Sequence, residues 1–160
     1  SKALSARNRK KVFWDIVAHA LVGVGVVGER IIDKINILNA SLLAMREAVL
    51  ALNITPNLLL LDGQRRIDLP ITQIPIIRGD QKVVSIGAAS IVAKVIRDEM
   101  MTRFDVQYPG YGFAVHKGYP TSAHIEALGQ KGICPIHRFS FGPVSRHAQS
   151  QERPVQAVEM

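Results

Sequence analysis

Cysteine is almost absent from this 160-residue sequence. Cys134 stands alone, so no internal disulfide framework exists, and a reducing, cytoplasmic setting is expected. Long apolar runs are also missing. Runs such as Leu58–Leu61 fall far short of the ~20 residues of a membrane span, so no membrane partner is expected. The first residues, Ser1 to Lys11, are basic and polar, without the apolar stretch of a secretory signal, and position 1 is not Met. Acids are scarce relative to bases: 13 Asp and Glu stand against 20 Lys and Arg, a formal charge of +7. That balance points to a polyanionic partner, either nucleic acid or an anionic membrane surface. At 48% hydrophobic and 21% charged residues the chain is not a disordered one. Its length predicts one domain with room for a core.

What is present reads as alternating helices and short strands. Ser5 is a candidate N-cap for a helix over Ala6–Ala20, with Val12, Phe13, Ile16, Val17 and Ala20 on one face. Arg7, Arg9, Lys10 and Lys11 crowd its start and read as a solvated face. Leu21–Val27 reads as a strand, and Gly28-Glu29-Arg30 as a turn. Asp33 then caps a long helix with an apolar stripe of Ile35, Leu38, Leu42, Met45, Val49 and Leu52. Leu58–Leu61 fits a strand buried on both faces. Ile71–Ile77, with Pro75, fits an edge strand. Arg78-Gly79-Asp80 reads as a loop, Ile86–Asp105 as a second long helix and Tyr108–Pro120 as loop. Thr121 is placed to cap a short helix ending at Leu128, and residues 146–160 read as a flexible tail after a domain over 1–145. The sum is an α/β layered fold, with a mixed sheet flanked by helices.

Two carboxylates and a set of basic loops are the candidates for chemistry. Asp62 follows an apolar strand and precedes Gly63, where open α/β sheets collect ligands. The plainer reading is a turn aspartate bonding its own backbone. Asp98 sits inside a helix that aspartate disfavours. Its plainer reading is an ion pair with Lys94, four residues back, worth ~0.3–0.5 kcal/mol. Together the two offer hard oxygen ligands for Mg²⁺ or Mn²⁺. Arg65, Arg78 and Lys117 lie in basic loops, with Phe113, Tyr119, Phe139 and Phe141 interleaved in the C-terminal part, a mix suited to phosphate contact and stacking. His116 and His137 lack the paired spacing of zinc ligands. Ser140 has no nucleophile elbow around it. Gly23, Gly25 and Gly28 match a dinucleotide fingerprint by letter only, because no helix opens directly behind the strand.

As a set, these motifs resemble bacterial ribonuclease HII. The residues that carry the resemblance include Leu61-Asp62-Gly63, Gly79-Asp80, Ala88-Ala89-Ser90-Ile91-Val92-Ala93-Lys94, Arg97-Asp98, Tyr108-Pro109-Gly110-Tyr111-Gly112-Phe113, His116-Lys117-Gly118-Tyr119-Pro120-Thr121 and His137-Arg138. They run in family order over nearly the whole chain. The resemblance implies a ribonuclease H-like fold and cleavage of RNA in RNA–DNA hybrids. It also implies nicking of duplex DNA at embedded ribonucleotides and a part in DNA replication and repair. It further implies four carboxylates holding two divalent ions, Mn²⁺ or Mg²⁺, and a monomer when intact. Asp62 resembles the third family carboxylate and Asp98 the fourth. Tyr119 is similar to the tyrosine that stacks on the sugar at the scissile junction. Lys94, the Arg78 loop, Arg65 and Lys117 are expected near phosphates.

The departures are specific. The family opens with a strand bearing Asp-Glu-Ala-Gly-Arg-Gly, which supplies two carboxylates and the loop that senses the 2′-OH. No such segment occurs in these 160 residues. Gln64 stands where the family usually has Asn, Arg78 where it has Lys, and Ile96 where it often has Thr. A piece of a longer enzyme, an enzyme with a separate first segment, and a short inactive relative would each give this pattern. The expectation is therefore a nuclease whose present 160 residues are inactive, or nearly so, by themselves. The alternatives are a non-catalytic nucleic-acid-binding module derived from such a nuclease, and a basic α/β domain with no nucleic-acid role.

Overall fold

The first helix forms where a serine can start it. A computed structural model describes residues 4–152. In it α1 spans Ala6–His19, and the Ser5 hydroxyl accepts a hydrogen bond from the Asn8 amide, as the cap predicts. Ala20 is extended, and residues 21–28 after it form no regular element. The expected strand at Leu21–Val27 is not formed: no described segment pairs with it. Its glycines explain why it lies flat. Gly23 and Gly25 seat against Ala48 and Ala44, while Val24 and Val26 are 38% and 58% exposed.

The long helix α2, Glu29–Leu50, is two helices joined at Asn36, whose φ of 65° and ψ of 167° break it. Asp33 is not the cap that the sequence suggested. Asn36 takes that role: its side-chain oxygen accepts from the amides of Leu38 and Asn39, at 3.0 and 3.1 Å. Asp33 instead accepts from the backbone amides of Phe139 and Ser140 (2.8 and 2.9 Å) and from the Ser140 hydroxyl. Burial opposes the charge on Asp33, but these hydrogen bonds and nearby Arg138 outweigh it and hold the carboxyl below its ordinary value.

Strands β1, Leu58–Asp62, and β2, Thr72–Ile76, pair in parallel, with Leu61 opposite Pro75. Of the expected mixed sheet, the described residues carry this parallel pair. β1 is buried on one face rather than both. Leu59 and Leu61 are buried and Leu58 is 46% exposed. The buried face packs with Ile67 against Leu42, Met45 and Val49 of α2. Each such leucine contributes about 2 kcal/mol. Gln73 ties the connecting loop to β2. Its side chain accepts from the Ile67 amide and donates to the carbonyls of Ile67 and Leu69.

Beyond the sheet come α3 (Gly79–Lys82), α4 (Val84–Gln107), α5 (Phe113–His116), α6 (Ser122–Lys131) and α7 (Gly142–Glu152). Thr121 caps α6 as expected, accepting from the His124 amide. Helix α7 crosses into the region expected as a tail from Arg146; residues 153–160 of that tail lie outside the described residues.

The contacts group into two compact units. Among the described residues, one comprises 4–27 with Ile35–Glu99, and the other Gly28–Lys34 with 100–152. The core of the first is the β1 and α2 cluster above. The core of the second gathers Met101, Tyr111, Phe113, Ala127 and Cys134, packed by Phe104, Tyr108 and Ile136. No described helix is long and apolar enough to cross a membrane.

Candidate active site

Asp62 ends β1, with its side chain at the exposed C-terminal end of the strand. It is not bonded to its own turn. Its Oδ1 accepts from the Gly79 amide at 2.8 Å, which pins the start of α3 against β1. Gly79 packs closely there: a Cβ would stand 2.6 Å from Ile86 Cδ1, so that side chain would have to shift. The preceding Arg78 is exposed and left-handed, with φ 55° and ψ 44°. Such a backbone costs a non-glycine residue about 1 kcal/mol or more and concentrates at functional sites.

Asp98 lies in α4. Lys94 Nζ donates to its Oδ1 at 2.6 Å, and Arg9 Nη1 stands 3.6 Å from Oδ2. The Lys94 pair was readable from the four-residue spacing. Arg9 was not: its charge reads as part of a solvated face, yet its side chain is only 13% exposed and also donates to the Leu4 carbonyl. No sequence signal couples it to Asp98. Arg65 and Arg66 are exposed and line an open pocket of about 440 Å³ with Leu42 and Gln64.

In the other unit, Lys117 follows α5 in a left-handed conformation (φ 53°), and its Nζ donates to Thr102 Oγ1 at 3.0 Å. Tyr119 is 62% exposed, with its carbonyl taken by the Thr121 amide and His124 Nδ1. Within the first unit, then, the structure brings Lys94 to Asp98 and the Arg78 loop to Asp62. Lys117 and Tyr119 share a loop in the second.

The donor type at Asp62 and Asp98 suits a hard divalent ion. The donor number does not complete a site. Among the described residues no three acids, histidines or cysteines are grouped so as to hold a metal.

The architecture defines the class first. The chain is similar to the crystal structure of ribonuclease H2 from Pyrococcus horikoshii, with a TM-score of 0.77 and 22% identity over 96% of this chain and 81% of that one. The fold is therefore ribonuclease H-like, as expected. The sequence then gives the family. The ribonuclease HII family model matches residues 1–144. The chain is 49% identical over 152 residues to a ribonuclease HII of Maricaulis maris, covering 94% of this chain and 70% of the relative. It is 51% identical to that of Citrifermentans bemidjiense, over 94% of this chain and 66% of the relative. It is 50% identical to that of Ruminiclostridium cellulolyticum, over 88% of this chain and 56% of the relative. The chain belongs to the ribonuclease HII family, whose members are divalent-metal-dependent ribonucleases of the ribonuclease H type. It spans between 56% and 70% of the length of these curated relatives.

Proposed function

We propose that this chain serves endonucleolytic cleavage of RNA in RNA–DNA hybrids and nicking of duplex DNA at embedded ribonucleotides. The observation that carries this reading is Asp62. A carboxylate stands at the C-terminal end of a strand with one oxygen fixed by a backbone amide, beside a left-handed arginine, in a chain of this family. Asp62 and Asp98 are the metal-holding and catalytic carboxylates of the chain. Divalent ions, Mn²⁺ or Mg²⁺, would activate water on one side of the phosphate and stabilise the leaving oxygen on the other. Arg65, Arg78, Lys94 and Lys117 hold backbone phosphates, a sequence-independent and salt-sensitive term. Tyr119 stacks on the sugar beside the scissile bond.

Two carboxylates hold a pair of divalent ions poorly, so the 160 residues alone are inactive or nearly so. A DNA duplex carrying one ribonucleotide, with added Mn²⁺ or Mg²⁺, tests this. No nicking is expected from the chain alone. Nicking is expected once an Asp-Glu-Ala-Gly-Arg-Gly segment is supplied, and Asp62→Asn should abolish it. Robust nicking by the chain alone, lost in Asp62→Asn, overturns the inactivity.

The cations at Asp98 favour a second reading. With Lys94 at 2.6 Å and Arg9 at 3.6 Å, that carboxylate is already neutralised by the protein. Salt-dependent duplex binding without cleavage, even with the segment restored, would select a non-catalytic binding module.

A further inference from the structure

The second unit buries three imidazoles. His116, His124 and His137 are 8%, 7% and 5% exposed, with their ring centroids 5.5–5.7 Å from that of Phe113. A buried ring nitrogen without a partner is costly, and each of these has one. The partners also fix where each proton sits. The Cys134 amide donates to His137 Nδ1 at 3.0 Å. The Cys134 carbonyl stands slightly farther from the same nitrogen, at 3.2 Å; the nearer backbone N–H cannot accept, so the lone pair is assigned to Nδ1 and the His137 proton to Nε2. Nε2 lies 3.2 Å from His124 Nε2, which must accept, so the His124 proton is on Nδ1. That nitrogen lies 3.0 Å from the Tyr119 carbonyl and donates to it. His116 is set in the same way. Its Nδ1 accepts from the Gly118 amide at 3.1 Å, so its Nε2 donates to the Tyr111 carbonyl at 2.7 Å.

Every member of this chain is therefore neutral and directed. Both branches end on the loop that carries Lys117 and Tyr119. One more proton breaks the order. On His124 it would set two N–H groups facing each other across 3.2 Å. His116 stacks on His124 at 4.2 Å, so a charge on one lies against the face of the other. The remaining titratable neighbours are the Cys134 thiol, 3.1 Å from His137 Nδ1, the Tyr111 ring at 5.4 Å, and His147. Burial holds His124 and His137 below the ordinary histidine value, and repulsion from His116 adds to this for both.

We infer that His137, His124 and His116 are positioning residues that hold the 117–119 loop in its binding shape, and that the loop loosens once His124 takes up a proton. Its functional consequence rests on the reading of Tyr119 as the residue that stacks on the substrate.

Nitrogen-15 NMR of the 160-residue chain, titrated downward from neutral pH, tests the relay without any substrate. The expected tautomers are Nε2–H on His137, Nδ1–H on His124 and Nε2–H on His116. Gly118 and Thr121 amide protection should be lost in the same step in which His124 takes up a proton. The opposite tautomers overturn the relay, as does protonation of His124 with no change at Gly118 or Thr121. Binding of a duplex with one ribonucleotide then tests the consequence. His124→Asn keeps a donor at the Nδ1 position and should keep near-neutral affinity. His124→Phe has no donor there and should bind roughly tenfold more weakly, the low end of one stacking contact. Equal affinities of these two variants overturn the positioning role. A chain that binds no duplex at any pH overturns the nucleic-acid reading itself, and the nitrogen shifts still decide the relay.

Discussion

Gly25→Ala is expected to destabilise the chain by about 1–2 kcal/mol, against the usual gain of ~0.4–1 kcal/mol for such an exchange. An added Cβ at Gly25 would stand 2.0 Å from the Ala44 carbonyl oxygen and 2.7 Å from the Ala48 nitrogen. At Gly23 it would stand 2.0 Å from the Ala48 carbonyl oxygen and 3.2 Å from Leu52 Cγ. Carbon and oxygen approach to about 3.3 Å, so the segment must retreat from α2 by more than about 1 Å. The close obstacles are helix backbone, which cannot rotate away as a side chain does. Neither glycine has a positive φ, so the cost is contact and not backbone strain. Overpacking of 1–3 kcal/mol or more then exceeds the entropy gain. Gly129, inside α6, is the control: a Cβ there meets nothing within 4 Å. Gly129→Ala is expected to stabilise by about 0.5–1 kcal/mol. Urea unfolding at fixed pH reads both, with m unchanged if only the native state is affected. A Gly25→Ala midpoint equal to or above that of the parent chain would refute the seating of residues 21–27 on α2.

Acid is expected to weaken the fold well above the carboxylate range. His124 and His137 are held neutral chiefly by burial, whereas unfolded histidines protonate near pH 6.5. The unfolded state then binds more protons, so stability is full above about pH 6.5 and falls below it, by up to about 2.7 kcal/mol per pH unit for two groups. Urea midpoints between about pH 7.5 and 5.5 check this, and a flat profile refutes it. Arg78→Gly is expected to raise stability by about 1 kcal/mol by relieving the left-handed backbone, while weakening duplex binding and reducing its salt dependence by about one phosphate contact. Unchanged salt dependence would remove Arg78 from the interface.

Features decided within a few residues were legible in the sequence. Ser5 and Thr121 each start the helix they were expected to start, because a cap bonds an amide three residues on. The Lys94–Asp98 pair follows from one helical turn in the same way. Features decided across the chain were not legible. Asp33 looks like a cap by composition, but Phe139 and Ser140, distant in sequence, offer it three donors, and Asn36 is left to cap the helix. Arg9 reaches Asp98 through folding that no spacing encodes. Leu21–Val27 has strand-forming residues, but a strand needs a ladder, and no described segment supplies one. The family itself was legible because its motifs are long and ordered. The roles of the histidines were not, since a buried imidazole is defined by what its two nitrogens face.

The two left-handed cations share a local device that the sequence shows only as Arg-Gly and Lys-Gly. At Arg78-Gly79 the glycine amide donates to Asp62 Oδ1, and at Lys117-Gly118 it donates to His116 Nδ1. In each pair a short helix adjoins the cation: α3 follows Arg78 and α5 precedes Lys117. A positive φ turns the chain through about one residue, which a bulky side chain adopts only when its surroundings fix it. Here the fixing bond is the next residue's amide, and its acceptor is in one case the candidate metal carboxylate and in the other a member of the histidine relay. The strain of the cation and the placement of the functional acceptor are thus parts of one arrangement. Lysine and arginine stand at positions whose left-handed backbone glycine would occupy more comfortably. The +7 of the sequence is in this sense unevenly meaningful. Arg9 and Lys94 stand against the Asp98 carboxylate, whereas Arg78 and Lys117 sit where the backbone itself is left-handed.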